Sequence, residues 1–309
     1  MRRGKGYSSK TTRSPAKPGT AQGWSALAGM NHSSEYPLGT YRATDARLLM
    51  ADCPVSGNRK ARAMAYIDLS DVSAKAGGSR QLGGYLAEPE GEGPFPAVLM
   101  IHEAFGLNDV MRRHADRLSA AGYLTLAVDL YSDGGARRCL VSTMRSMISG
   151  TGKAFTDLAT ARTWLSTSER STGKTGVIGF CMGGGFALLV AKDGFDAASV
   201  NYGQLPRRLE ESLRGSCPVV ANYGGRDHTL PGAAAKLKSA LNGLGIENDV
   251  KEFPISSHAF MNDADLAPKL LRPLNRIMGI KPDPEASPEA WQRIEDYFRK
   301  YLNQPSTAP

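Results

Sequence analysis

The stretch Gly179-Phe180-Cys181-Met182-Gly183-Gly184 sets the tightest condition on how this chain folds. Before Cys181 runs Thr175-Gly176-Val177-Ile178-Gly179-Phe180, short, apolar and strand-like. After it runs Phe186-Ala187-Leu188-Leu189-Val190-Ala191, apolar at helical spacing. A buried strand therefore turns sharply at Cys181 into a helix. Such a turn strains its central residue and leaves no room for side chains two positions either side, a demand that Gly179 and Gly183 meet. It also puts Cys181 near a helix N-terminus, where backbone N–H groups and the dipole favour a thiolate and a developing oxyanion. A buried cysteine at a close strand–helix turn leaves the same trace, so the rest of the chain has to decide.

The rest of the chain alternates. Strand-like runs cover Met64–Leu69, Gly83–Ala87, Pro96–Ile101, Tyr123–Val128, Ala198–Tyr202, Pro218–Tyr223 and Asp249–Phe253. Residues 109–121 read as an amphipathic helix with Val110, Met111, His114, Leu118 and Ala121 on one side. Residues 136–168 read as helix broken near Gly150–Gly152, and 232–244 as another. In the last helix Ser287 is the expected N-cap, Pro288 the first position, and Trp291, Ile294, Phe298 and Tyr301 the buried stripe. Alternating buried strands and helices predict an α/β fold, a mostly parallel sheet with helices on both faces.

Charge separates a body from a tail. The chain has 309 residues and a net charge of +8. Residues 1–63 hold eleven Lys/Arg and only three acids, so that whole excess lies there and the body is neutral. The high pI therefore gives no sign of nucleic-acid binding by the body. The first 40 residues are rich in Ser, Gly, Pro and basic residues and read as disordered. The expected division is a basic extension, 1–63, and a catalytic domain, 64–309. No apolar run is long enough for a membrane span, and Arg2-Arg3 is not followed by a signal's apolar segment. Cys53, Cys139, Cys181 and Cys217 are widely spaced, which suits neither a disulfide framework nor a zinc site but fits a cytoplasmic protein. Gly173-Lys174-Thr175 is not a phosphate loop: Ser168 stands where that motif needs glycine, and a strand follows where it needs a helix.

Two further residues complete a constellation. Asp227 lies in Gly224-Gly225-Arg226-Asp227, just past a buried strand, and His258 in Ser257-His258-Ala259-Phe260, just past the next. Loops at such strand ends present catalytic groups. The order nucleophile, acid, histidine is that of α/β-hydrolases, and Asp227 can hold His258 in one tautomer while His258 assists Cys181. His114 sits within a helix, His32 in the tail and His228 beside the acid, so none competes. Asp129 also follows a strand but precedes the cysteine.

Together with Ile101-His102-Glu103-Ala104-Phe105-Gly106 and Asp129-Leu130-Tyr131, these segments resemble the dienelactone hydrolase (carboxymethylenebutenolidase-like) family, from about residue 64 to 302. The resemblance implies one α/β-hydrolase domain that cleaves a small-molecule ester or lactone with no metal or organic cofactor. It implies Cys181 as nucleophile, His258 as base, Asp227 as its orienter, and Glu103 as a carboxylate against which the thiol rests. Met182 and Ala104 would supply the N–H groups of an oxyanion hole, and Phe105, Tyr131, Tyr202 and Phe260 would contact substrate. A thioester or other acyl-transfer substrate would use the same residues, and a non-catalytic ligand-binding protein could keep the scaffold. Two departures bear on substrate. Where family members that take an anionic dienelactone carry two arginines, this chain has Asp133 and Asn262. The Leu/Pro-rich stretch 264–280 is a candidate cover for the pocket mouth.

Overall fold

The computed structural model describes residues 48–49, 64–264 and 281–303. The expected extension, apart from Leu48–Leu49, and the candidate cover beyond residue 264 lie outside the described residues. Strands are β1 (Leu48–Leu49), β2 (Met64–Asp68), β3 (Gly83–Ala87), β4 (Phe95–Ile101), β5 (Leu124–Asp129), β6 (Ser171–Phe180), β7 (Ala197–Asn201), β8 (Val219–Gly224) and β9 (Asn248–Phe253). Helices are α1 (Ser70–Lys75), α2 (Asp109–Ala120), α3 (Ala136–Ser149), α4 (Lys153–Ser166), α5 (Met182–Val190), α6 (Leu209–Leu213) and α7 (Ala233–Gly243). The last helix, α8, covers Ser287–Leu302.

The strands form one sheet in the order β1-β2-β3-β5-β4-β6-β7-β8-β9. The first three are antiparallel to their neighbours. From β5 to β9 every pairing is parallel. The pleat sorts the core. On β4, Ala97, Leu99 and Ile101 face the side covered by α3, α4, α5 and α7, while Val98 and Met100 face α2 and α8. Every residue of α5 is buried, as an all-round apolar helix requires. All the parallel strands end at one edge, and the segments after them carry Glu103, Tyr131, Cys181, Tyr202, Asp227 and His258.

Local signals account for most boundaries. Gly150, left-handed at φ 72°, ends α3, and Gly152, at φ 113°, precedes α4, so the expected break falls between them. Two details differ. Ser287 is not the cap of α8: a turn before it lets the Asp283 carboxylate accept from the N–H groups of Glu285 and Ala286, each at 3.1 Å. The Ser287 hydroxyl instead reaches the carbonyl of Met261. Ala121 caps α2 in the open, and Ala115 and Ser119 complete the buried face.

Candidate active site

The turn at Cys181 is as tight as its glycines require. Cys181 has φ 53° and ψ −116°, and its N–H donates to the Asn201 carbonyl at 3.0 Å. A Cβ on Gly179 would lie 1.9 Å from the Gly183 carbonyl oxygen, and one on Gly183 would lie 2.2 Å from that of Ile101. Three non-glycine residues among those described have positive φ: Cys181, Tyr202 (41°) and Ala259 (60°). All three sit here. Conformations of this kind cost about 1–3 kcal/mol each and persist only where surrounding structure enforces them.

His258 and Asp227 meet from adjacent loops. His258 Nδ1 lies 2.6 Å from Asp227 Oδ2. Asp227 Oδ1 accepts from the backbone N–H and hydroxyl of Thr229, at 2.9 and 2.6 Å. Thr229 escaped the sequence reading, although a threonine two positions after an aspartate signals such a turn. Cys181 bears on the same imidazole from the turn after β6. Burial disfavours a charged imidazole, but the bonds to Asp227 and Cys181 outweigh it and lift His258 to about 10. Burial also opposes charge on Asp227, yet His258 and Thr229 hold that carboxyl below its usual range.

The sign of the His258 shift has a consequence for stability. Its contribution is complete below its ordinary value of 6.5 and is lost as pH rises through about 10. Thermal midpoints measured from about pH 7 to 10 should fall more steeply in the unaltered protein than in His258→Gln. Parallel curves would exclude a raised His258.

Glu103 follows β4 and is 2% exposed. Asn262 Nδ2 donates to its two oxygens at 3.1 and 3.2 Å, and the Tyr202 hydroxyl donates to Oε1 at 3.3 Å. Burial still pushes the carboxyl above the usual range, against those bonds and nearby His258. Asn262 and Tyr202 are the hydrogen-bond partners of this carboxylate, and Cys181 bears electrostatically on both His258 and Tyr202.

The two candidate oxyanion donors are held from outside. Among the described residues, no hydrogen bond takes up the N–H of Met182 or Ala104. The Tyr131 hydroxyl donates to the Ala104 carbonyl at 3.1 Å and lies 3.5 Å from Met182 Sδ, so it ties both segments together. His102 pins the same loop: its ring lies 2.7 Å from the Glu103 carbonyl and accepts the Leu130 N–H at 3.1 Å. Burial drives its pKa down, which keeps an acceptor nitrogen available.

The four residues expected to contact substrate separate. Phe105 is 49% exposed and available. Tyr131 is buried and serves the Ala104 loop. Tyr202 and Phe260 have no accessible surface: Tyr202 packs on His258 with ring centroids 5.1 Å apart, and Phe260 lies behind it. They support the site rather than face a ligand. Asp133 accepts from the Gln81 N–H and pairs with Lys153 at 3.1 Å. No described helix is long and apolar enough to cross a membrane.

The dienelactone hydrolase family model matches residues 82–302. A provisionally named carboxymethylenebutenolidase of Methylorubrum extorquens is 29% identical over 237 residues, covering 70% of this chain and 76% of that protein. The carboxymethylenebutenolidase of Pseudomonas putida is 29% identical over 188 residues, covering 57% and 80%. A dienelactone hydrolase from Anabaena variabilis shares the fold, with a TM-score of 0.55 at 24% identity over 72% of this chain and 93% of that one. The match in sequence thus spans the strand-end segments and strands β3 to β9, and the chain belongs to the dienelactone hydrolase family, a hydrolase on the α/β-hydrolase fold.

Proposed function

We propose that the chain hydrolyses a small ester or lactone by attack of Cys181, with His258 and Asp227 handling the proton. The observation that carries this reading is the 2.6 Å pair of His258 and Asp227, with Cys181 bearing on the same imidazole from a strained strand-to-helix turn. His258, raised by Asp227 and Cys181, holds the proton that it shares with the thiol as sulfur bonds to the carbonyl carbon. The oxyanion is received by the N–H groups of Met182 and Ala104, a device worth about 3 kcal/mol per donor. The intermediate collapses to a thioester, and His258 returns the proton to the departing alcohol. Water then attacks with His258 as base, the acid leaves sulfur, and the water's proton stays with the His258–Cys181 pair, ready for the next turnover. Glu103 acts through charge. Ionised, it opposes a thiolate nearby; neutral, it does not. A reactive thiol of this kind suits the reducing cytoplasm.

The substrate is read as uncharged. Of the two positions expected to bind a substrate carboxylate, Asp133 is an acid engaged by Gln81 and Lys153, and Asn262 is spent on Glu103. A panel of chromogenic esters, thioesters and lactones, neutral and carboxylated, tests this with the whole chain. Neutral short-chain esters or lactones should turn over fastest. A strong preference for carboxylated lactones would overturn the uncharged assignment, and no turnover of any member would end the enzyme reading.

A further inference from the structure

Glu103 lies in a buried socket where counting protons fixes the direction of the hydrogen bonds. The Asn262 amide gives its Nδ2 to both Glu103 oxygens, so its Oδ1 faces the other way. Two groups approach that oxygen: the Tyr202 hydroxyl and His114 Nε2, each at 3.4 Å. Tyr202 has one proton and also lies 3.3 Å from Glu103 Oε1, so it serves one acceptor at a time. When His114 donates to Asn262, the phenol proton is free for Glu103. When it does not, Asn262 competes for that proton, or its amide turns and sets an oxygen against a carboxylate.

His114 is well built for this task. It comes from the middle of α2 and is 4% exposed, its ring centroid 4.9 Å from that of Phe180 and 5.0 Å from that of Trp291. The preceding residue, Arg113, pairs with Asp263 through two bonds, so consecutive residues of α2 grip consecutive residues of the loop after His258. Burial lowers the His114 pKa to about 4; Asn262 and Asp263 oppose that shift, and Arg113 and Arg117 add to it. The ring is therefore neutral, with a single N–H.

We propose that His114 is a positioning residue of this hydrolase: its Nε2–H fixes the Asn262 amide, which with Tyr202 sets the Glu103 carboxylate facing His258. The proposal rests on Cys181 being the reactive thiol. The groups that act on Glu103 are Asn262, His258 and Tyr202, with Cys181 facing Tyr202 from the turn after β6.

The test is the pH dependence of Cys181 alkylation by iodoacetamide, counted as the labelling that Cys181→Ala loses. Ionised Glu103 disfavours the thiolate, so its titration forms a step that Glu103→Gln removes. Weakening the hydrogen bonds to a carboxylate favours its neutral form. The step should thus move up by about one pH unit in His114→Leu, the value of one bond to a charged group. It should return towards its original place in His114→Gln, which keeps an N–H. Equal steps in the unaltered protein and His114→Leu overturn the proposal, as does a profile indifferent to Glu103→Gln. Should the substituted chains fail to fold, histidine 15N NMR of the unaltered protein decides. The Nε2–H tautomer is expected at about pH 6, and the Nδ1–H tautomer or the imidazolium overturns the assignment. Alkylation needs no substrate, so a chain that hydrolyses nothing sinks the proposed function and leaves this result readable.

Discussion

Cys181→Ala is expected to lower kcat/KM for whichever ester or lactone the chain turns over best by about ten-thousand-fold or more, with the fold intact. The size of the loss follows from the way the site is divided. Every proton transfer by His258 depends on a bond first formed at the Cys181 sulfur; without that bond His258 and Asp227 can at best direct a water molecule that nothing positions. What should survive is the proposed oxyanion hole, since the Met182 and Ala104 N–H groups belong to the backbone and Tyr131 holds the Ala104 loop from outside. The fold should tolerate the change because the turn's geometry comes from its glycines, and alanine is smaller than the cysteine it replaces. Asp227→Asn should cost about a thousand-fold or more, because an amide cannot enforce the His258 tautomer or favour its charge. Full activity in Cys181→Ala, measured on purified folded protein, would refute the nucleophile assignment.

What the sequence disclosed follows from the range of the interactions involved. The strands and the turn at Cys181 are local patterns of apolar runs and glycines, so they are legible without tertiary information, and β3 matches its expected range residue for residue. That Cys181, Asp227 and His258 come together was legible because order along a parallel sheet fixes which loops meet. The socket of Glu103 was not. His114 and Asn262 are separated by 148 residues, and neither is unusual in its own segment. Asn262 stood out only as a missing arginine; its amide turns out to hold the carboxylate. Tyr202 and Phe260 were misplaced for the opposite reason. An aromatic residue beside a catalytic segment looks the same whether it faces ligand or core, and only burial tells the two apart. The short helices α1 and α6 carry too little periodicity to be seen.

Gly183→Ala and Gly179→Ala are each expected to leave little or no folded protein. Neither glycine is needed for a left-handed backbone; both are needed for space. A methyl on Gly183 would lie 2.2 Å from the Ile101 carbonyl oxygen and 2.7 Å from that of His102. On Gly179 it would lie 1.9 Å from the Gly183 oxygen and 2.2 Å from that residue's carbonyl carbon. Every one of these atoms is backbone, so no side chain can rotate aside. Relief requires α5 to move off β4 and β6, and α5 is buried along its whole length. Separating such a helix from a close-packed core costs more than the 4–5 kcal/mol or so that marks an exceptional single substitution, against a total stability of about 5–15 kcal/mol. Gly243→Ala supplies the contrast. Gly243 ends α7 with nothing within 4 Å of an added Cβ, so alanine there should stabilise by about 0.5–1 kcal/mol through helix propensity. Denaturant midpoints and soluble yield read all three. A Gly183→Ala chain as stable as Gly243→Ala would mean that the strand and helix at Cys181 are not in backbone contact, and the strained turn that presents the thiol would go with them.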